Sequence, residues 1–69
     1  MSVHKIIELS CTSEAGWEDA AKKAVAEASR TVKNIKSVYI RDFIADVEND
    51  TIARYRVHAK VTFEVESKS

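Results

Sequence analysis

The chain has 69 residues, of which eleven are basic and eleven acidic, with one cysteine, one glycine and no proline. Cancelling charges give no global field that would recruit nucleic acid or an anionic membrane, and no run approaches the roughly 18 apolar residues that a membrane span needs. The start "MSVHKIIELS" lacks the long apolar core of a signal peptide, so the default location is the cytoplasm, and 45% hydrophobic residues without proline argue for one folded domain over residues 1–69 rather than disorder.

Residues 3–10, "VHKIIELS", are β-branched and alternate loosely, which predicts a strand. The following "CTSEAGWEDA" offers Thr12, Ser13 and Gly16 as helix-start residues, with Glu18 and Asp19 in the first turn, where carboxylates meet unpaired backbone N–H groups. From Trp17 the apolar positions 17, 20, 21, 24, 25, 28, 32 and 35 follow the spacing of one buried helical stripe, so a helix over about 16–33 is expected, stopped at Asn34. Four of those positions are alanine, thin enough for a sheet to curl closely around the helix.

Residues 35–48, "IKSVYIRDFIADVE", read as a strand whose faces are mixed: Ser37 and Arg41 interrupt one set, Lys36, Asp42 and Asp46 the other. Such a strand bends or changes neighbours along its length, as a subunit interface would require. "ENDT" at 48–51 is a tight turn, and from Thr51 to about residue 66 the alternation is clean, with Ala53, Tyr55, Val57, Ala59, Val61, Phe63 and Val65 on one face and Arg54, Arg56, His58, Lys60, Thr62 and Glu64 on the other. The order is β-α-β-β, an α+β chain. With the last strand in the middle, all neighbours run antiparallel and one helix covers one side of a three-stranded sheet. The end "ESKS" has the composition of a frayed terminus.

A chain this short buries only about 60% of the surface its unfolded form exposes. One cysteine excludes an internal disulfide, and Cys11 with the distant His4 and His58 is no zinc pattern. Sharing apolar faces between copies is the remaining staple.

No acid, base and nucleophile can be placed together, so the chain is read as a non-enzyme. Cys11 precedes the helix start but has no histidine nearby in sequence, and a half-buried thiol is the plainer reading. His58, between Arg56 and Lys60, could meet a phosphate or stand solvated on its strand. Asp46, Glu48 and Asp50 could hold calcium or simply charge a hairpin turn. Trp17 could stack on a ligand, but as the first residue of the stripe it reads as core or interface.

The β-α-β-β order, the opening "KIIELSCTSEAGWEDAAKKAVAEA", the helix end "TVKNI" and the closing "YRVHAKVTFEV" together resemble the dodecins over almost the whole chain. The resemblance implies a hollow homododecameric shell that binds flavin, riboflavin or FMN, for storage or scavenging, in some members with coenzyme A near a threefold interface. By position, the implied flavin residues are Ser37, Arg56, Lys36 and Glu64, and the implied coenzyme A phosphate contacts are His4, Lys5 and Lys33. Flavin-binding members carry a stacking tryptophan where this chain has Ser37, a glutamine where it has Arg56, and often a glycine where it has Cys11. The alternative is a dodecin-like shell without a flavin role, acting as a structural or calcium-binding assembly. The implied partners are further copies of the chain and a small-molecule flavin, with no nucleic acid, no membrane and no resident metal.

Overall fold

The computed structural model describes residues 3–65. The chain runs β1 (Val3–Ser13), α1 (Trp17–Ala28), β2 (Ile35–Glu48) and β3 (Thr51–Val65). β3 lies between the other two strands and pairs antiparallel with both, giving the sheet order β1-β3-β2. The expected residue 66 of the last strand and the terminal "ESKS" lie outside the described residues.

The core is small and central. Ala20, Ala24 and Ala28 face Val57, Ala59 and Val61, all within 1% of complete burial. With only Cβ atoms on its inner stripe, α1 can lie close to the sheet, and the two valines fill the space between. β1 and β3 turn their odd-numbered side chains to the helix side, while the even-numbered ones form the outer face.

Two element bounds differ from the spacing-based reading. β1 continues through Ser13 rather than stopping near 10, because β3 is long enough to pair Cys11 with Val57, Thr12 with Arg56 and Ser13 with Tyr55. The helix ends at Ala28 rather than near 33. Beyond it, Arg30 N–H bonds Glu27 O at 3.2 Å and Thr31 N–H bonds Ala28 O at 3.1 Å, a tighter i→i−3 winding. Ser29 Oγ donates to Ala26 O at 2.7 Å and Thr31 Oγ1 to Ala28 O at 3.3 Å, while Ala28 O also accepts Val32 N–H at 2.9 Å, so backbone and hydroxyl donors share the last carbonyls of the helix. Asn34 then takes φ 62° and turns the chain into β2.

The mixed faces of β2 have a specific cause. Its register against β3 slips between Ile35 and Ser37 and again between Ile40 and Phe43, each time by one extra residue on β2, and a third irregularity falls between Asp46 and Val47. Each slip reverses which parity faces the helix. Val38 and Ile40 therefore share the inner face with Phe43 and Ala45, while Ser37, Tyr39 and Ile44 share the outer one. The β2–β3 turn has positive φ at both Asn49 (52°) and Asp50 (63°), the geometry of a two-residue hairpin turn that follows strand twist.

The fold is 57 Å long and 13 to 19 Å across, whereas a helix of this length spans only about 18 Å. Much of the β2–β3 ribbon is thus uncovered, and Ile6, Tyr39, Phe43, Val47 and Ile52 stand 50% to 63% exposed. Among the described residues no helix is long and apolar enough to cross a membrane.

Candidate functional site

The even-numbered side chains of β1 and β3 make an outer face arranged in rows. At one end His4 stands across from Glu64, with 3.8 Å between Nε2 and Oε2. The next row is Ile6, Thr62 and Ser37, and the one after it Glu8, Lys60 and Tyr39. Ser10 and His58 follow, with Asp42 reaching in from the second bulge so that His58 Nδ1 lies 3.0 Å from its Oδ2. The last rows carry Thr12, Arg56 and Ile44, then Arg54 and Asp46.

This arrangement gathers most of the expected ligand residues at one end. Ser37 and Glu64 lie there, Lys36 is the extra residue of the first bulge, and Asn34 O beside Lys33 accepts the Glu64 N–H at 3.0 Å. Lys5 is in the same region but opposite Phe63, on the helix side of β1, so it does not share a face with His4. Arg56 is not brought to that end. It lies six positions along β3 from Thr62, the partner of Ser37, which is about 20 Å at strand spacing. Its Nη2 bonds Asp46 Oδ1 at 3.3 Å, and its buried Nε has no hydrogen-bond partner. One copy of the chain therefore does not bring Ser37 and Arg56 to one ligand.

Tyr39 is not among the ligand residues that the sequence suggests. It stands two residues from Ser37 on the same face and is 63% exposed, flanked by the exposed Ile6 row. The i+2 spacing was visible; the exposure was not, because the bulges decide which face of β2 meets the helix.

The acidic turn is already engaged. Arg54 binds Asp46 at 3.6 Å and Glu48 at 2.9 Å, and Arg56 also reaches Asp46. Among the described residues no group of three or more His, Cys, Asp or Glu side chains is placed to hold a metal ion. Trp17 belongs to the packing: its Nε1 donates to Ile44 O at 3.0 Å, and its ring meets Tyr55 and Phe43 edge-on with centroids 4.9 and 5.9 Å apart.

Cys11 sits away from the helix start, in an open groove of about 360 Å³ between β1 and α1 with Lys23, Glu27 and Arg30. Burial pushes its thiol pKa up, the Glu27 carboxylate adds to that, and Lys23 opposes it. A thiol held protonated is a poor nucleophile. At the helix entrance, Gly16 is the N-cap and offers no side-chain bond. The buried Ser13 instead fixes the turn ahead of the helix, accepting Ala15 N–H at 2.9 Å and donating to Asp19 in the first helical turn. That bond is the main reason the Asp19 carboxyl titrates below its ordinary range, with Lys23 assisting.

Known proteins share this architecture from end to end. Calcium dodecin of Mycobacterium tuberculosis is 32% identical over 65 residues, which cover 94% of this chain and 92% of that one. A Thermus thermophilus protein of known crystal structure superposes with a TM-score of 0.92 at 28% identity, covering 99% of this chain and 100% of its own. The crystal structure of the calcium-chelating M. tuberculosis antigen, described as having a novel calcium-binding site, superposes with a TM-score of 0.80 at 28% identity over 97% and 96% of the two chains. The dodecin family model matches residues 3–66, and the chain belongs to the dodecin family.

Proposed function

We propose that the chain assembles into a homododecameric shell that binds a flavin, riboflavin or FMN, at the outer face around Ser37 and Tyr39, as a store rather than as an enzyme. The observation that carries this reading is the exposed Tyr39 ring one pleat from Ser37 on the same face. A phenol ring offers a stacking surface worth about 0.5–1.5 kcal/mol beyond burial, and Ser37 leaves room beside it. Lys36 and Glu64 flank that surface and supply polar contacts. Arg56, about 20 Å away on the same strand, contributes only from a second copy, as a donor to a ring carbonyl. His4 and Lys33 at the same end, with Lys5 behind the sheet, are assigned to coenzyme A phosphates.

The test is fluorescence titration of riboflavin and FMN with the assembled protein. Quenching that weakens about tenfold or more in Tyr39→Ala and strengthens in Ser37→Trp supports the site. Purified protein that is colourless and leaves both fluorescence signals untouched rejects it. Replacing Lys33→Glu should abolish coenzyme A binding, and unchanged binding rejects that assignment.

The name of the 32%-identical relative favours a second reading, a shell that holds calcium without a flavin role. Asp46 and Glu48 are paired with arginines inside one copy, so a calcium site needs carboxylates from several copies or exchange of those pairs. Calorimetric titration with calcium, with and without Asp46→Asn, decides it: saturable binding that the substitution weakens favours this reading.

A further inference from the structure

Midway along the outer face, spanning the Glu8–Lys60 row and the Ser10–His58 row, a cavity of about 280 Å³ is lined by Glu8, Ser10, Arg41, His58 and Lys60. We propose that this cavity is a binding site for a small oxyanion, inorganic phosphate or a phosphate monoester. The bulge between Ile40 and Phe43 is what builds it. In a regular strand Arg41 and Asp42 would point to opposite faces. Here the extra residue and the positive φ of Asp42 (32°) let Asp42 bond His58 while Arg41 lines the same cavity.

The charges are divided between the two roles. The Asp42 carboxylate is committed to His58 Nδ1 at 3.0 Å and stands 3.9 Å from Arg41 Nε. Arg41 still presents the remaining donors of its planar fork, which match phosphate oxygens two at a time. Lys60 forms no ion pair among the described residues and adds a compact point charge. With Nδ1 donated to Asp42, His58 Nε2 is free to accept the hydroxyl hydrogen of a monoprotonated phosphate, or to donate as imidazolium. Ser10, directly across from His58, supplies a hydroxyl. Glu8, directly across from Lys60, is the one lining carboxylate and opposes the anion. The cavity is larger than a bare phosphate and open, so an organic substituent has room. None of Ser37, Lys36, Tyr39, Arg56 or Glu64 lines it; Tyr39 stands directly across from Lys60, so the sites adjoin, and loss of flavin binding in Tyr39→Ala with phosphate binding kept tells the two apart.

The experiment is calorimetric titration of the assembled protein, free of flavin and in a phosphate-free buffer at low ionic strength, with inorganic phosphate and with phenyl phosphate. Saturable binding is expected, weakened about tenfold or more by Arg41→Ala and by Lys60→Ala and tightened several-fold by Glu8→Gln. Lys22→Ala, on the exposed side of α1, should change nothing. The gain in Glu8→Gln keeps the test decisive if a cation-removing variant fails to assemble. No saturable binding below about 10 mM, equal loss in Lys22→Ala, or weaker binding in Glu8→Gln overturns the proposal.

Discussion

Trp17 is the tie between the helix and the strand the helix covers least. α1 lies over β1 and β3, and its first residue reaches across to β2 through one hydrogen bond to Ile44 O at 3.0 Å and an edge contact with Phe43. Ile44 lies on an edge strand, so without the indole N–H that carbonyl is left to solvent. Truncation to alanine removes two edge contacts worth about 0.5–1.5 kcal/mol each beyond burial and one hydrogen bond worth about 1 kcal/mol. A fully buried tryptophan costs about 3–5 kcal/mol when cut to alanine, and Trp17 is 37% exposed. The low end of that range, about 3 kcal/mol, is therefore expected for Trp17→Ala. Trp17→Phe keeps a ring against Tyr55 but loses the hydrogen bond, and should cost about half as much. Urea denaturation followed by far-ultraviolet circular dichroism measures both, at one fixed protein concentration because association makes apparent stability concentration-dependent. A loss below about 0.5 kcal/mol for alanine, or equal losses for alanine and phenylalanine, would refute this account of the tie.

Three further outcomes follow from the same geometry. The Asp19 carboxyl is held below its ordinary range chiefly by Ser13, so its ionised form stabilises the fold above the unfolded carboxylate value and that share is lost as pH falls through the lower folded value. The stability gap between wild type and Ser13→Ala should therefore shrink as pH drops below about 4; a gap that stays constant with pH removes Asp19 from the explanation. Because Cys11 is pushed up by burial and then by Glu27, iodoacetamide should alkylate it more slowly than free cysteine at pH 8, with Glu27→Gln faster and Lys23→Ala slower still. Alkylation as fast as free cysteine contradicts that. At the hairpin, Asp50 has φ 63°, so Asp50→Val should cost about 1–2 kcal/mol in thermal or urea unfolding while Asp50→Gly is tolerated; equal behaviour of the two means the turn is not held at that φ.

What could be read from the residues followed from how many of them voted. The alternation of β3 runs over fifteen residues and the alanine stripe over three turns, and both survive in the structure with Val57, Ala59 and Val61 meeting Ala20, Ala24 and Ala28. The errors came where one or two residues decide. Past Ala28 the backbone tightens to i→i−3 bonds and the Ser29 and Thr31 hydroxyls join on the last carbonyls, which a hydrophobic stripe continuing to Val32 does not reveal. The reach of β1 to Ser13 depends on the length of its partner, a long-range pairing rather than a local preference. In β2 a strict period of two breaks down because bulges at two places reset it, so the outward aim of Tyr39 became visible only with the register against β3. The mixture of faces was the available sign, and it correctly marked the strand as irregular without saying where.

The separation of Ser37 from Arg56 also constrains how any shared ligand is held. Both are on the outer face, yet about 20 Å of β3 lies between their rows, and the Arg56–Asp46 and Arg54–Glu48 pairs join β2 to β3 at the far end. Strand spacing does not compress, so bending within one copy does not close that distance. A ligand touching both positions needs one residue from each of two copies. The same chain leaves β2 with one unpaired edge and Phe43, Val47 and Ile52 uncovered along the ribbon, surface that a lone copy would expose to water and that a second copy can bury. The small core and the uncovered ribbon thus point to one remedy, association, which would also set residues of a second copy beside Ser37.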